Sequence, residues 1–232
     1  MDRILAILEQ QWGAVTTWDD AGIEQFTRAV TPIVNGAQVM SGRMADAYIA
    51  QVLTEMTGKR VNPTGIQFTG DLRGVPTAEV YRRPFVEVFS GLKNGLLFAD
   101  AYNSGLARLR EIGDDDMSLA YRVGTQKSMT AQKIKDYRRV VRPELSKGGT
   151  CPLCHLAAEN VYHRSNLLPI HTHCRCAVMP IIGSNDPGSR LNSEDLGSLE
   201  SPKESPVIRH HGELGPILQI AGQHFTSEAQ VA

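Results

Sequence analysis

The chain has 232 residues, of which 41% are hydrophobic and 21% charged, and its formal net charge is −1. This composition is ordinary for a globular protein and excludes a strongly charged or low-complexity chain. It contains no run of 18 or more apolar residues and no secretory signal pattern at its start. We therefore expect no membrane association and a cytoplasmic location, where thiols stay reduced.

The first quarter of the chain carries apolar residues at helical spacing. They predict a helix over residues 2–15 and a long helical segment that begins near Asp20 and ends at Gly58. Pro32 lies inside the long segment, which is therefore either one helix or two helices joined at a kink. Residues 59–76, rich in Gly and Pro, are predicted to form a loop.

Helical spacing resumes near Thr77, is interrupted at Pro84, and returns over about residues 95–112. The three consecutive aspartates 114–116 then resemble the start of another helix, because acidic side chains favour a helix N-terminus. We expect this last helix to reach about Lys135.

The character of the sequence changes at residue 137, where a short alternating β-branched segment predicts a strand. A second strand is predicted from residue 176, after the cysteines. From residue 183 the chain is rich in Ser, Pro, Gly, Asn and Glu. The predicted fold class is α+β, with a mainly helical domain over 1–136, a small zinc-knuckle-like α+β module over 137–182, and a flexible acidic tail over 183–232.

All four cysteines of the chain lie within 26 residues and are accompanied by histidines. A C-x2-C pair supplies two thiolates from one turn, and a second cluster 12 to 20 residues away can complete a tetrahedral zinc site. A module this small also needs a covalent or metal crosslink to be stable. The predicted zinc ligands are drawn from Cys151, Cys154, His171, Cys174 and Cys176, with His173 as the alternative histidine.

The spacing leaves two coordination schemes open. Cys174 and Cys176 share one face of an extended segment, whereas His171 and His173 share the other. The site is therefore either four-cysteine, with histidines outside it, or three-cysteine with one histidine. The other possibilities for the thiols are a disulfide arrangement and ordinary burial.

The cysteine segment also resembles a known family signature. Residues 151–158 and 168–180 resemble the C-terminal signature of the MuF-like phage head-morphogenesis proteins, which are minor capsid proteins. Residues 211–216 are similar to a segment of the actinobacteriophage branch of that family. The signature positions are Cys151, Cys154, Pro169, His171, Cys174, Arg175, Cys176 and Pro180.

The resemblance implies a role in the assembly of the phage head. The expected partners are the portal protein and the major capsid or scaffold protein. The expected location is the virion, at the head interior or portal vertex, after assembly in the host cytoplasm. Because relatives are often labelled capsid maturation proteases, the resemblance also implies a second hypothesis, a protease that acts on prohead proteins.

The residues themselves favour a structural role over catalysis. No G-x-S-x-G or H-E-x-x-H motif occurs, and thiolate-rich zinc sites are usually closed and structural. Spacing does not select a catalytic pair from the available side chains. The candidate bases are His163, His171 and His173, and the candidate nucleophiles are Ser128, Ser146 and Ser165.

A third hypothesis is contact with packaged DNA. Residues 122–147 hold 8 basic and 2 acidic side chains, and such a surface can bind phosphates without reading base sequence. The alternative is a solvated helix face or a surface that docks on an acidic protein. The candidate phosphate contacts are Lys133, Lys135, Arg138, Arg139 and Arg142.

The tail contains one short apolar segment that predicts docking on another head protein. Its anchors are Leu214, Ile217, Leu218 and Ile220.

Overall fold

The computed structural model describes residues 2–67, 72–145, 152–167, 176–196, 206–211 and 215–220. The chain divides into two compact units. Unit 1 comprises Met1–Ser41 and Gln67–Ala120, and unit 2 comprises Gly42–Ile66 and Tyr121–Ala232. The architecture is α+β, as predicted, because long helices are combined with a small antiparallel sheet.

Unit 1 is helical. Its elements are α1 (Asp2–Gly13), the first part of α2 (Asp20–Thr57), α3 (Thr77–Val80), α4 (Arg83–Lys93) and the first part of α5 (Phe98–Ala131). Trp12 is fully buried at the centre of its core and packs against four other aromatic rings. Pro84 stands in the first turn of α4, where its missing N–H costs nothing.

The structure decides between the two predictions for the long N-terminal segment. A single helix, α2, covers Asp20–Thr57 with Pro32 inside it. Gly58 follows with a positive φ of 66°, the conformation that ends many helices.

The prediction of a helix start at residues 114–116 was wrong, because α5 runs through them without interruption. The acidic residues are buried in the middle of the helix. The lack of a side chain at Gly113, within the same helix, serves packing. A Cβ there would lie 2.8 Å from Leu8 Cδ1 and 3.0 Å from Leu5 Cδ2. Only tertiary contact explains this glycine.

Unit 2 contains a three-stranded antiparallel sheet in the order β2-β1-β3. The strands are β1 (Asp136–Val140), β2 (Val161–His163) and β3 (Ala177–Ile181), which agree with the predicted strands at 137 and 176. Helix α6 (Pro152–Ala158) lies between β1 and β2 in the chain, and α7 (Pro187–Leu196) follows β3. Strands β4 (Pro206–His211) and β5 (Gly215–Ile220) pair as a hairpin.

The limits of the two units differ from the predicted domain boundaries at 136 and 182. Helices α2 and α5 each contribute residues to both units, so residues 1–136 do not form one body. The predicted flexible tail includes α7, where Asn192 is buried and hydrogen-bonded to β1 and α6. None of the described helices is long and apolar enough to cross a membrane.

Candidate metal centre

Two of the predicted zinc ligands lie in one small core of unit 2. Cys154, on α6, is 7% exposed, and Cys176, directly before β3, is 8% exposed. The two cysteines are 22 residues apart in the chain, and the sheet brings their segments together. The other members of this buried cluster are Val141, Leu153, Leu156, Ala157, Ala158 and Leu196.

The remaining predicted ligands, Cys151, His171 and Cys174, lie outside the described residues, as does His173. Among the residues that the structure does describe, no group of three His, Cys, Asp or Glu side chains is close enough to hold a metal ion. The described pair, Cys154 and Cys176, fits a zinc site in its chemistry. Thiolate sulfur is a preferred zinc donor, and an apolar shell that excludes water suits a structural site.

His155 follows Cys154 on α6 and is buried. Its Nε2 lies 3.6 Å from Glu159 Oε1, one helical turn away. This contact places the His155 ring beside a carboxylate on its own helix.

Asn192 joins three elements around the cysteine cluster. Its Oδ1 accepts a hydrogen bond from Val141 N at 3.1 Å, and its Nδ2 donates to Arg139 O at 2.8 Å and Ala158 O at 3.1 Å. Buried amides that satisfy both their donor and acceptor groups fix neighbouring backbone segments. Helix α7 is therefore part of the module and not a separate tail.

The sequence contained a signal for α7 that our prediction missed. Asp186 precedes Pro187, which is the usual order of an N-cap and a first helical residue. In the structure Asp186 Oδ1 accepts from Ser189 N at 3.1 Å. Asp186 Oδ2 also receives Arg138 Nε at 2.7 Å, which ties the start of α7 to β1.

Of the predicted DNA-contacting arginines, Arg139 is buried and Arg138 is half-buried, whereas Arg142 is exposed. Arg139 is fully buried, with its guanidinium 5.9 Å from the ring centre of Tyr162, so it cannot reach a phosphate. Arg138 bonds Asp186 and two backbone carbonyls, and Arg142 pairs with Glu144. Lys133 and Lys135 are exposed. Lys133, Lys135 and Arg142 therefore remain available for contact with phosphates, whereas Arg138 and Arg139 are used within the fold.

The serine and histidine candidates for catalysis are placed very differently. Ser128 is fully buried and donates to Asp46 Oδ1 at 2.6 Å, so it has a structural role. Ser146 lies outside the described residues. Ser165 is exposed, and its Oγ lies 2.7 Å from His163 Nδ1.

The His163–Ser165 contact belongs to a short turn after β2. Ser165 N donates to His163 Nδ1 at 3.3 Å. When the ring proton is on Nε2, Nδ1 can instead accept the hydrogen bond of the Ser165 hydroxyl, which lies 2.7 Å away. His163 faces Asp136 across the β1–β2 register, which puts an acid opposite the histidine. The same contact also caps the turn Arg164–Asn166.

Two buried polar clusters were not predicted from the sequence. In unit 1, Arg73 Nε donates to Asp116 Oδ1 at 2.7 Å, and the Tyr81 hydroxyl donates to Asp116 Oδ2 at 3.0 Å. Burial raises the pKa of Asp116, although Arg73, Tyr81 and Gln38 act to lower it. Burial and the Asp116 charge together raise the pKa of Tyr81 well above its ordinary value.

In unit 2, Asp46 holds the loop after α2. Its Oδ1 accepts from Thr64 Oγ1 at 2.9 Å and from Ser128, and its Oδ2 accepts from Gly65 N at 2.9 Å. Burial acts to raise the pKa of Asp46, but these hydrogen bonds outweigh it, and the pKa is lowered. Both clusters join residues far apart in sequence, which is why periodicity did not reveal them.

Comparison with known proteins gives no further assignment. No family model matches the chain, and neither the curated proteins nor the solved structures give a match.

Proposed function

We propose that the chain is a minor capsid protein of a tailed phage that associates with the portal and capsid during head assembly. The sequence signature at residues 151–180 supports this proposal. The observation that carries it is the burial of Cys154 and Cys176 in one apolar cluster, at the two ends of that signature. The role of the module is to be a stable, crosslinked part of the head, and its final location is the head interior or the portal vertex.

We propose that zinc crosslinks the module. Bound zinc would supply a structural link between the start of α6 and the start of β3. Cys154 and Cys176 would be two of the ligands, and the others would come from Cys151, Cys174 and one of His171 or His173. The apolar neighbours of the two described cysteines would keep water from the thiolates.

Metal analysis of the purified chain tests the zinc proposal. We expect about one zinc per chain. Cys154→Ser and Cys176→Ser should each reduce the zinc content, whereas His163→Asn, in the same module, should not. A folded wild-type chain that contains no metal would reject the zinc crosslink.

Incorporation into heads tests the assembly role. The chain is co-expressed with the portal and major capsid proteins of the same phage, and the purified heads are probed for it. Truncation at residue 205 removes the hairpin β4–β5, which contains Ile217, Leu218 and Ile220 of the proposed docking segment. Leu214 lies outside the described residues. Incorporation should fall while the fold is kept, and unchanged incorporation would reject the docking role.

A second candidate function, a protease acting on prohead proteins, is favoured by one observation. The exposed Ser165 hydroxyl lies 2.7 Å from His163 Nδ1, which is the distance that a general base needs to accept the proton of a nucleophile. In this hypothesis Ser165 Oγ attacks the peptide carbonyl carbon and His163 takes the hydroxyl proton. His163 then returns that proton to the leaving amine.

His163→Asn separates catalysis from turn capping. Asparagine is a good cap, so the variant keeps the hydrogen bond to Ser165 N but loses the base. If the pair is catalytic, a fluorophosphonate probe should label the wild-type chain, and labelling should be lost in Ser165→Ala and His163→Asn. The buried Ser128 gives the control, because Ser128→Ala should keep the labelling. An unlabelled wild-type chain would leave only the capping role.

A further inference from the structure

An exposed apolar surface lies where α4 is followed by α5 in unit 1. We name it the corner patch. When the surface of each side chain is multiplied by its exposed fraction, the sum for the patch is roughly 500 Å². An apolar patch of this size often marks a protein–protein contact. Its members and their exposed fractions are Val86 64%, Phe89 37%, Leu92 37%, Leu96 46%, Leu97 74% and Phe98 48%.

The turn that carries the corner patch is closed by backbone hydrogen bonds. Gly95 N donates to Leu92 O at 3.0 Å, and Leu96 N donates to Gly91 O at 3.0 Å. Gly95 has a φ of 87°. This is the Schellman arrangement, in which a glycine after the helix satisfies its last carbonyls. The patch is therefore preorganised, and binding through it requires little ordering of the chain.

Leu97 is an apolar residue at a position of the monomer where a polar residue is usually found. It immediately precedes α5, and its carbonyl accepts from Asp100 N and Ala101 N, which makes it the N-cap residue. Ser, Thr, Asp and Asn are strongly preferred at this position because their side chains bond the first free N–H groups. A leucine that is 74% exposed there gains neither a cap nor burial. A residue that breaks a local rule in this way points to a function outside the monomer.

The charges around the corner patch are of both signs. Lys93 is exposed at the end of α4, Glu87 is exposed on α4, and Asp100 is exposed in the first turn of α5. A rim that is neither uniformly basic nor uniformly acidic does not repel a second copy of itself. It also offers no strong attraction to a highly charged partner such as DNA.

The apolar area matches what a homodimer of ordinary size needs. A standard interface buries about 800 Å² on each partner, and homodimer interfaces are about 65% apolar, which corresponds to about 500 Å² of apolar surface per chain. The corner patch supplies this amount from residues 86–98, which cover the later part of α4, the turn after it and the first residue of α5. A two-fold dimer uses the same patch on both chains, so no second surface is required.

We propose that the corner patch is the interface of a homodimer, in which two copies of unit 1 pack their α4–α5 corners together about a two-fold axis. Leu97 is the central anchor of this interface. The proposal concerns a surface remote in sequence from the cysteine module and stands whether or not the module binds zinc.

Leu97→Asp tests the interface without endangering the fold. Aspartate is a good N-cap, so the variant monomer should be at least as stable as wild type in thermal unfolding. At the dimer interface the same substitution buries an unpaired charge and should weaken association by at least about 100-fold. The matched control is Met40→Asp, because Met40 is also in unit 1 and is 65% exposed on α2.

Sedimentation velocity on the full chain over about 1 to 100 μM measures the association. We expect wild type and Met40→Asp to reach twice the monomer mass and Leu97→Asp to remain monomeric. Trp18 gives a second readout, since its ring is 5.2 Å from that of Phe98 and its emission should change on dilution. A wild-type chain that stays monomeric throughout, or a dimer that survives Leu97→Asp, would overturn the proposal.

Discussion

Replacing Asp46 by alanine should destabilise unit 2 by about 3 kcal/mol. The carboxylate accepts hydrogen bonds from Thr64, Gly65 and Ser128, so the substitution removes the partner of three donors at once. Each buried donor left without a partner costs about 1–3 kcal/mol. Part of this loss is offset, because alanine avoids the cost of burying a carboxylate.

Asparagine at the same position should cost less, about 1 kcal/mol. Its amide oxygen can keep the hydrogen bond from Gly65 N. Its NH₂ group then faces the hydroxyl groups of Thr64 and Ser128. Each hydroxyl must rotate so that its oxygen accepts a hydrogen bond from the NH₂ group, and its own proton then has no acceptor at this site. The predicted order of stability is therefore wild type, Asp46→Asn, Asp46→Ala.

Hydrogen exchange by mass spectrometry measures this change where it occurs. Both tryptophans, Trp12 and Trp18, lie in unit 1, so tryptophan fluorescence does not report on Asp46. Peptides that cover Gly65 and the end of α5 should exchange faster in Asp46→Ala. The control is Glu55→Gln, an exposed carboxylate change on the same helix and in the same unit, with an expected effect within about 0.5 kcal/mol.

The effect of Asp46→Ala should depend on pH. Because the folded-state pKa of Asp46 is lowered, its stabilisation is fully present above the ordinary value of 3.8 and is lost as the pH falls through the folded pKa. The difference between wild type and Asp46→Ala should therefore be constant near neutral pH and shrink below pH 3.8. A loss under about 1 kcal/mol at neutral pH, or one equal to that of Glu55→Gln, would refute the reasoning.

Three further predictions concern other sites. Tyr81→Phe should destabilise unit 1 by about 1–2 kcal/mol, because Asp116 loses a buried hydrogen bond. Tryptophan fluorescence during urea unfolding measures this loss of stability, and an unchanged unfolding midpoint would contradict the prediction. Gly124→Ala should cost about 1–3 kcal/mol in thermal unfolding, because its Cβ would lie 2.7 Å from the Cα and O of Gly42. Gly36→Ala, on the same helix as Gly42 and with no atom within 4 Å of the added Cβ, should instead stabilise by about 0.5–1 kcal/mol, and equal effects of the two would refute the close-packing argument. Removal of metal by a chelator should accelerate amide exchange in α6 and β3 and leave the tryptophan fluorescence unchanged; exchange that does not respond would count against the crosslink.

The corner patch and the cysteine cluster differ in their exposure to solvent and lie in different units. The corner patch requires apolar residues on the surface of unit 1, whereas Cys154 and Cys176 are buried in unit 2. If both proposals hold, the chain associates through one unit and presents its crosslinked module in the other. The Leu97→Asp and Cys154→Ser variants then affect separate properties, self-association and metal content.

Local patterns in the sequence determined several elements of this protein. Apolar spacing predicted α1 and the long helix α2, and alternation predicted β1 and β3. The C-x2-C and C-x-C spacing predicted a metal site, and the two candidate ligands that the structure describes, Cys154 and Cys176, share a buried cluster. These features depend on neighbours within one element or on the simple chemistry of a single residue type.

Only the tertiary structure decided the roles of the charged residues. Asp114, Asp115 and Asp116 are buried within α5, and Asp116 accepts hydrogen bonds from Arg73 and Tyr81. Arg139 is buried, with its guanidinium over the ring of Tyr162, although the basic segment in which it lies suggested a phosphate contact. A helix accepts a charge at many positions, but whether that charge meets water or a partner depends on residues distant in sequence, and periodicity carries no information about them.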